Sequence, residues 1–304
     1  MNLQGCGTAL ITPFRDDGSL DEQALHHHVQ WQIANGVQLL VPCGTTGEAS
    51  TLTESEWFRV VEVTLAAAAG RVPVYAGATH NSTQAVIATA RRAEQLHGLA
   101  GLLIANPYYS KPSQEGQYQH FRAIAESTPL NVLLYNIPSR TAANLEPSTV
   151  LRLAEIPNIV GVKESSGNLV QITELLSRAP RAFRVFAGDD TLALPILSVG
   201  GVGLISVASN AIPQQISQMV ASALSDHWIS ARRINRHYYT LMQSLFLEPS
   251  PSPIKTVLQM LGRGNGALRL PMVPVSPSIR RRLELTLGEL GLLRDLPGAE
   301  LRTF

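Results

Sequence analysis

Cysteine is nearly absent. Cys6 and Cys43 are the only two, too few for a disulfide framework or a four-ligand structural zinc site. Charge is also scarce: Asp, Glu, Lys and Arg make up 15% of the chain and almost cancel, to +1. No polyanion-binding surface follows from that balance, so nucleic acid and anionic membrane are poor partners. Lysine is rarer still. Of 24 basic residues only Lys111, Lys163 and Lys255 are lysines, so each one asks for a reason. The first ten residues lack a basic stretch followed by an apolar one, and a cytoplasmic protein without a signal peptide is expected. Residues 191–225 carry no charge, but Pro195, Gly200, Gly201, Gly203 and Pro213 interrupt them. A buried helix, a buried strand and another helix fit that stretch better than a membrane span.

What is plentiful is apolar: 45% of 304 residues, enough for a large dry core. Short runs rich in Val, Ile and Leu recur at residues 7–11, 37–42, 72–78, 101–105, 131–136, 159–163, 184–187 and 203–207. A helical pattern follows each, and the runs are continuously apolar, as strands covered on both faces are. Eight such units suggest a closed (β/α)8 barrel over residues 1–225; an open doubly wound sheet is the structural alternative. Residues 226–304 then read as a C-terminal helical domain, punctuated by Pro249, Pro251, Pro253, Pro271, Pro274 and Pro277. Ser19–Glu22 and Thr53–Glu56 both carry the capping-box pattern, and Ser82 and Ser113 are candidate caps for the third and fourth helices.

In a barrel, chemistry sits where strands end. Lys163 ends the sixth apolar run, where burial would disfavour its charged form and free an amine for Schiff-base chemistry. A strand-end lysine reaching to solvent is the plain alternative. Tyr135 ends the fifth run and could relay protons with the Thr45 hydroxyl, or it could be an ordinary core aromatic. Gly44-Thr45-Thr46-Gly47 precedes a capped helix and offers free N–H groups to a carboxylate, although a simple tight turn would look the same. Arg140 could grip a carboxylate with two N–H groups, or be one more surface arginine. Gly188-Asp189-Asp190 follows the seventh run.

Other candidates are weaker. His26, His27 and His28 are consecutive on a helix and fan around its axis, which suggests plain helix surface. Asp189-Asp190 lacks the further ligands a divalent ion needs. Gly262-Arg263-Gly264-Asn265-Gly266 has no preceding strand, and Arg280-Arg281-Arg282 reads as a solvated helix face.

From Leu10-Ile11-Thr12-Pro13-Phe14 to Leu268-Arg269-Leu270-Pro271-Met272 these segments resemble the dihydrodipicolinate synthase (4-hydroxy-tetrahydrodipicolinate synthase) family of pyruvate-dependent Schiff-base aldolases. The most specific pieces are residues 44–48, Pro107-Tyr108-Tyr109 with residues 112–116, residues 135–141, and Gly161-Val162-Lys163-Glu164. The resemblance implies that Lys163 forms the imine with pyruvate. Tyr135, Thr45 and Tyr109 would then form the proton relay, Tyr109 crossing from a neighbouring subunit. Thr46 would hold the pyruvate carboxylate and Arg140 that of L-aspartate 4-semialdehyde. Ile205 would place a carbonyl near the lysine, with Gly188 beside the substrates. A cofactor-free, metal-free homo-oligomer, a tetramer built as a dimer of dimers, is implied. Lysine-inhibited members use His and Glu side chains at an interface site; here Ser50, Glu54, Trp57 and Ala85 stand there, with Asn81 and Tyr108 fitting the pattern, so feedback inhibition is expected to be weak or absent. Rival readings are an N-acetylneuraminate or 2-keto-3-deoxy sugar acid aldolase on the same barrel, and a barrel retired to ligand binding.

Overall fold

The computed structural model describes residues 3–293. Eight parallel strands alternate with helices: β1 Gly5–Ala9, β2 Leu39–Val41, β3 Tyr75–Gly77, β4 Gly101–Ala105, β5 Asn131–Asn136, β6 Ile159–Glu164, β7 Arg184–Ala187 and β8 Gly203–Ser206. They pair in the order β2-β1-β8-β7-β6-β5-β4-β3. A parallel bridge between Leu40 and Val74 joins the two ends, so the sheet closes. This is the (β/α)8 barrel, not the open sheet.

The connecting helices are α1 Glu22–Ala34, α2 Glu54–Ala68, α3 Thr83–Ala93, α4 Gln114–Glu126, α5 Pro138–Thr141, α6 Pro147–Leu153, α7 Leu169–Arg178, α8 Ala193–Ser198 and α9 Pro213–Leu224. After them come α10 Trp228–Ser244, α11 Ser252–Met260 and α12 Pro277–Glu289, matching the expected helical extension as far as residue 293. Its expected end, residues 294–304, lies outside the described residues.

Local chemistry explains the helix starts. Thr53 accepts from the Glu56 N–H while the Glu56 carboxylate accepts from Thr53 N–H, a complete capping box. Ser82 and Ser113 cap α3 and α4. Ser19 does not cap α1. It bonds to Asp17 in a turn, and Asp21 takes the cap by accepting from Ala24 N–H. The first strand begins two residues earlier than its apolar run, because Gly5 and Cys6 pair with Gly203 and Leu204.

Period-two alternation divides the strands' side chains between two cores. On β5, Leu133 and Tyr135 face the barrel interior with Leu39, Val41, Leu103, Phe186 and Ile205. Val132 and Leu134 face outward into the larger core between barrel and helices. That outer core also takes in Leu241, Val257 and Leu283, so α10, α11 and α12 pack on the barrel's helical shell. No described helix is long and apolar enough to cross a membrane.

Candidate active site

A cavity of about 440 Å3 opens where the strands end. Strand pairing puts Ala105 beside Tyr135, Tyr135 beside Lys163, and Lys163 beside Phe186. Four neighbouring strand ends therefore meet in register at one place. Lys163 is 4% exposed, and its Nζ lies 4.5 Å from the centre of the Tyr135 ring. Tyr135, also buried, lines the same cavity.

The loop after β2 forms one wall. Thr45 is exposed toward the cavity and Thr46 is buried in its lining. Gly47 N–H donates to Gly44 O and Glu48 N–H to Thr45 O, while the Thr12 hydroxyl donates to Gly47 O at 2.7 Å. Cys43 and Glu48, on either side of this loop, are both in the left-handed region, with φ of 56° and 52°. Each such residue costs about 1–3 kcal/mol, a strain that persists only where the surroundings impose it.

Across the cavity, Gly188 leaves room for the Lys163 side chain. A Cβ there would collide with Ser165 Oγ and stand 2.9 and 3.0 Å from Lys163 Cγ and Cε. No side chain fits without displacing the lysine stem. Arg140 lies on α5, a single turn that Pro138 starts directly after β5, and it lines the cavity while remaining exposed. Burial pushes the Glu164 carboxyl above its usual range, where it accepts from Asn136 Nδ2 and Ser166 N–H. It supports the strand end from behind.

Two expected residues are not gathered here within one chain. Tyr109 is 87% exposed, with φ of 74°, and lines no part of the cavity. The Ile205 side chain fills the barrel interior, and Val207 forms the cavity wall after β8. Conversely, Phe246, Leu247, Glu248, Pro249 and Ser250 line the mouth from the helical extension. Searching strand ends alone could not find them; the cluster of prolines that follows was the available signal. Ser165, two residues after the lysine, also lines the cavity, and among the described residues its buried hydroxyl has no hydrogen-bond partner.

The weaker candidates have structural places. His28 is buried rather than on the surface: its side of α1 meets Asn210, to whose Oδ1 His28 Nε2 donates at 3.0 Å and to whose carbonyl Gln32 donates. Asp190 accepts from Ser206 Oγ and from Val207 and Ala208 N–H, tying β7 to β8. Glu54 is ion-paired to Arg92, and the buried Trp57 donates its indole N–H to Gly77 O at 2.7 Å.

A buried primary amine beside a phenol and a threonine-lined wall, at the C-terminal rim of a (β/α)8 barrel, is the architecture of a lysine-centred barrel enzyme. The sequence profile described as the Dihydrodipicolinate synthetase family matches residues 2–290, and the chain belongs to that family, within the pyruvate-dependent Schiff-base aldolases. It is 56% identical over 298 residues to a 4-hydroxy-tetrahydrodipicolinate synthase of Acidobacterium capsulatum, covering 98% of this chain and 99% of that one. The chloride-inhibited dihydrodipicolinate synthase of Acinetobacter baumannii, complexed with pyruvate, superimposes with a TM-score of 0.93 at 37% identity, over 96% of this chain and 100% of that chain. The enzyme of Cyanidioschyzon merolae with lysine bound gives 0.92 at 40% identity, over 95% and 99%.

Proposed function

We propose that this enzyme condenses pyruvate with L-aspartate 4-semialdehyde to 4-hydroxy-tetrahydrodipicolinate, the first committed step of diaminopimelate and lysine biosynthesis. The observation that carries the reading is Lys163, buried at the cavity floor over the Tyr135 ring, in a chain 56% identical to a synthase of that name. Its amine attacks the pyruvate C2 carbonyl, the oxygen takes up a proton, and loss of water leaves the imine. Removal of a C3 proton gives the enamine, whose C3 bonds to the aldehyde carbon. The aldehyde substrate's own amine then displaces Lys163 and closes the ring. Tyr135 and Thr45 move the protons, and Tyr109 of a neighbouring subunit completes their relay. Thr46 holds the pyruvate carboxylate, Arg140 receives that of the semialdehyde, Gly188 clears the lysine's path, and the Ile205 carbonyl backs it.

The exposed Tyr109 supports one subunit contact, and the exposed pair Leu169 and Val170 on α7 supports a second, hence a tetramer built as a dimer of dimers. Residues 226–293 act as a helical domain completing a catalytic barrel of residues 3–225. Borohydride reduction with pyruvate should leave an adduct on the Lys163 peptide, and coupled reduction of the product should report turnover with the semialdehyde. An adduct on Lys111 or Lys255 instead would sink the assignment. Arg140→Ala should raise KM for the semialdehyde roughly 10- to 100-fold, the worth of a charge-assisted hydrogen bond, while pyruvate adduct formation continues.

A further inference from the structure

The second buried lysine serves the wall opposite the first. Lys255 on α11 sits 2.5 Å from Glu48 Oε1, both side chains almost fully buried. Lys255 Nζ also donates to Ala267 O at 2.8 Å and lies 4.3 Å from the centre of the Phe14 ring. The other Glu48 oxygen accepts from Arg269 N–H at 3.1 Å. The Arg269 guanidinium covers the same Phe14 ring, at 4.2 Å, and donates to Thr51 O and Glu56. The Glu48 carboxylate thus ties the loop after β2 to Lys255 and Arg269, and those two cations in turn cover Phe14.

We propose that the Glu48–Lys255 pair is a positioning device for Thr45 and Thr46. Glu48 is the first residue after Thr45-Thr46-Gly47, and its strained backbone closes that loop by donating to Thr45 O. A carboxylate taken out of water is costly unless its charge is matched and its lone pairs are used. Lys255 and Arg269 N–H supply that match at one place only, so Glu48 has a single satisfactory position. The loop must follow it. Substrate-carboxylate capture by Thr46 therefore depends on the docking of α11, outside the barrel.

This inference rests on the pyruvate reading, so wild-type adduct formation is measured first; its absence would defeat that reading and leave the pair unexplained. The variants are Lys255→Met, which keeps length and removes charge, and Glu48→Asp, which keeps charge and shortens the reach. Val150→Ala, in the outer core on α6, serves as a destabilised control. The readout is the pyruvate concentration giving half-maximal borohydride-trapped adduct, at a temperature where each protein is folded. It should rise about tenfold or more in both pair variants, as misplacing a binding group by a fraction of an ångström does. It should stay at the wild-type value in the control. Wild-type half-saturation in either folded pair variant would overturn the proposal, as would an equal rise in the control. Failure of both pair variants to fold would make the pair purely structural and overturn it too.

Discussion

Two lysines are buried in this molecule, and they differ in what faces them. Lys163 and Lys255 are 4% and 3% exposed, and each places its Nζ over an aromatic ring, at 4.5 and 4.3 Å. Neither burial nor the ring separates them. Lys255 is closed in by Glu48 and the Ala267 carbonyl; burial pulls it below the usual lysine range while Glu48 pulls it back. Lys163 faces a cavity, and among the described residues no carboxylate is paired with it. A paired lysine holds structure together, whereas an unpaired one beside a void is free to react.

The sharpest break of this comparison substitutes methionine at each position. Lys163→Met should reduce adduct and turnover to background yet leave stability to urea at or above wild type, since an unpaired buried amine is lost. Lys255→Met should cost about 3–5 kcal/mol of stability, because it leaves Glu48 buried without its cation. Urea titrations of the two, alongside trapping, decide it; equal stability losses would dissolve the distinction. Gly188→Ala tests the Lys163 side alone. Its added methyl must push the lysine stem or Ser165 aside, so slower adduct formation and a loss of about 1–3 kcal/mol are expected.

Acid tests the other side. The Arg269 guanidinium holds the Glu56 carboxyl down at about 2, from an ordinary 4.5. A carboxyl depressed by folding contributes stability that is complete above its unfolded pKa and lost as pH falls through the folded one. Stability should therefore decline as pH drops from about 4.5 toward 2, and Glu56→Gln should flatten that part of the curve. An unaltered acid slope in the variant would remove Glu56 from the account. The smallest expected effect is none at all. L-lysine should leave turnover at saturating pyruvate unchanged, since Ala85 offers no anion and Arg92 already neutralises Glu54. Tight binding by calorimetry with partial inhibition would contradict this.

Much of this was legible in the chain. Continuous apolar runs mark all eight strands, and position at or after a strand end brings Lys163, Tyr135, Arg140 and the Thr45-Thr46 loop, all of which line one cavity, onto a short list; position alone leaves each with an ordinary structural reading, and their roles come from the family resemblance. The misses share a cause. Ser19 looked like a helix cap because the local pattern allows it, but Asp17 competes for its N–H and hydroxyl. His28 looked superficial because a helix's inner face is set by what packs on it, here Asn210, far along the chain. Glu48 and residues 246–250 gained their places through contacts with distant segments, which no local spacing encodes. The residues proposed for the covalent chemistry stand at locally recognisable places, while what supports them is tertiary.

The distance along the chain between Glu48 and its cation has a consequence for synthesis. A nascent polypeptide that has emerged through residue 250 carries every strand of the barrel and Lys163. It still lacks Lys255 and Arg269, so the carboxylate that must be buried beside the threonine loop has nothing to pair with. Domains begin to fold while translation continues, N-terminal parts first. Here the barrel can assemble on the ribosome with its threonine wall unset, and that wall locks only once residues through Arg269 have been made. If the pair positions the loop as proposed, the order of translation sets the threonine wall last, after the barrel that carries it.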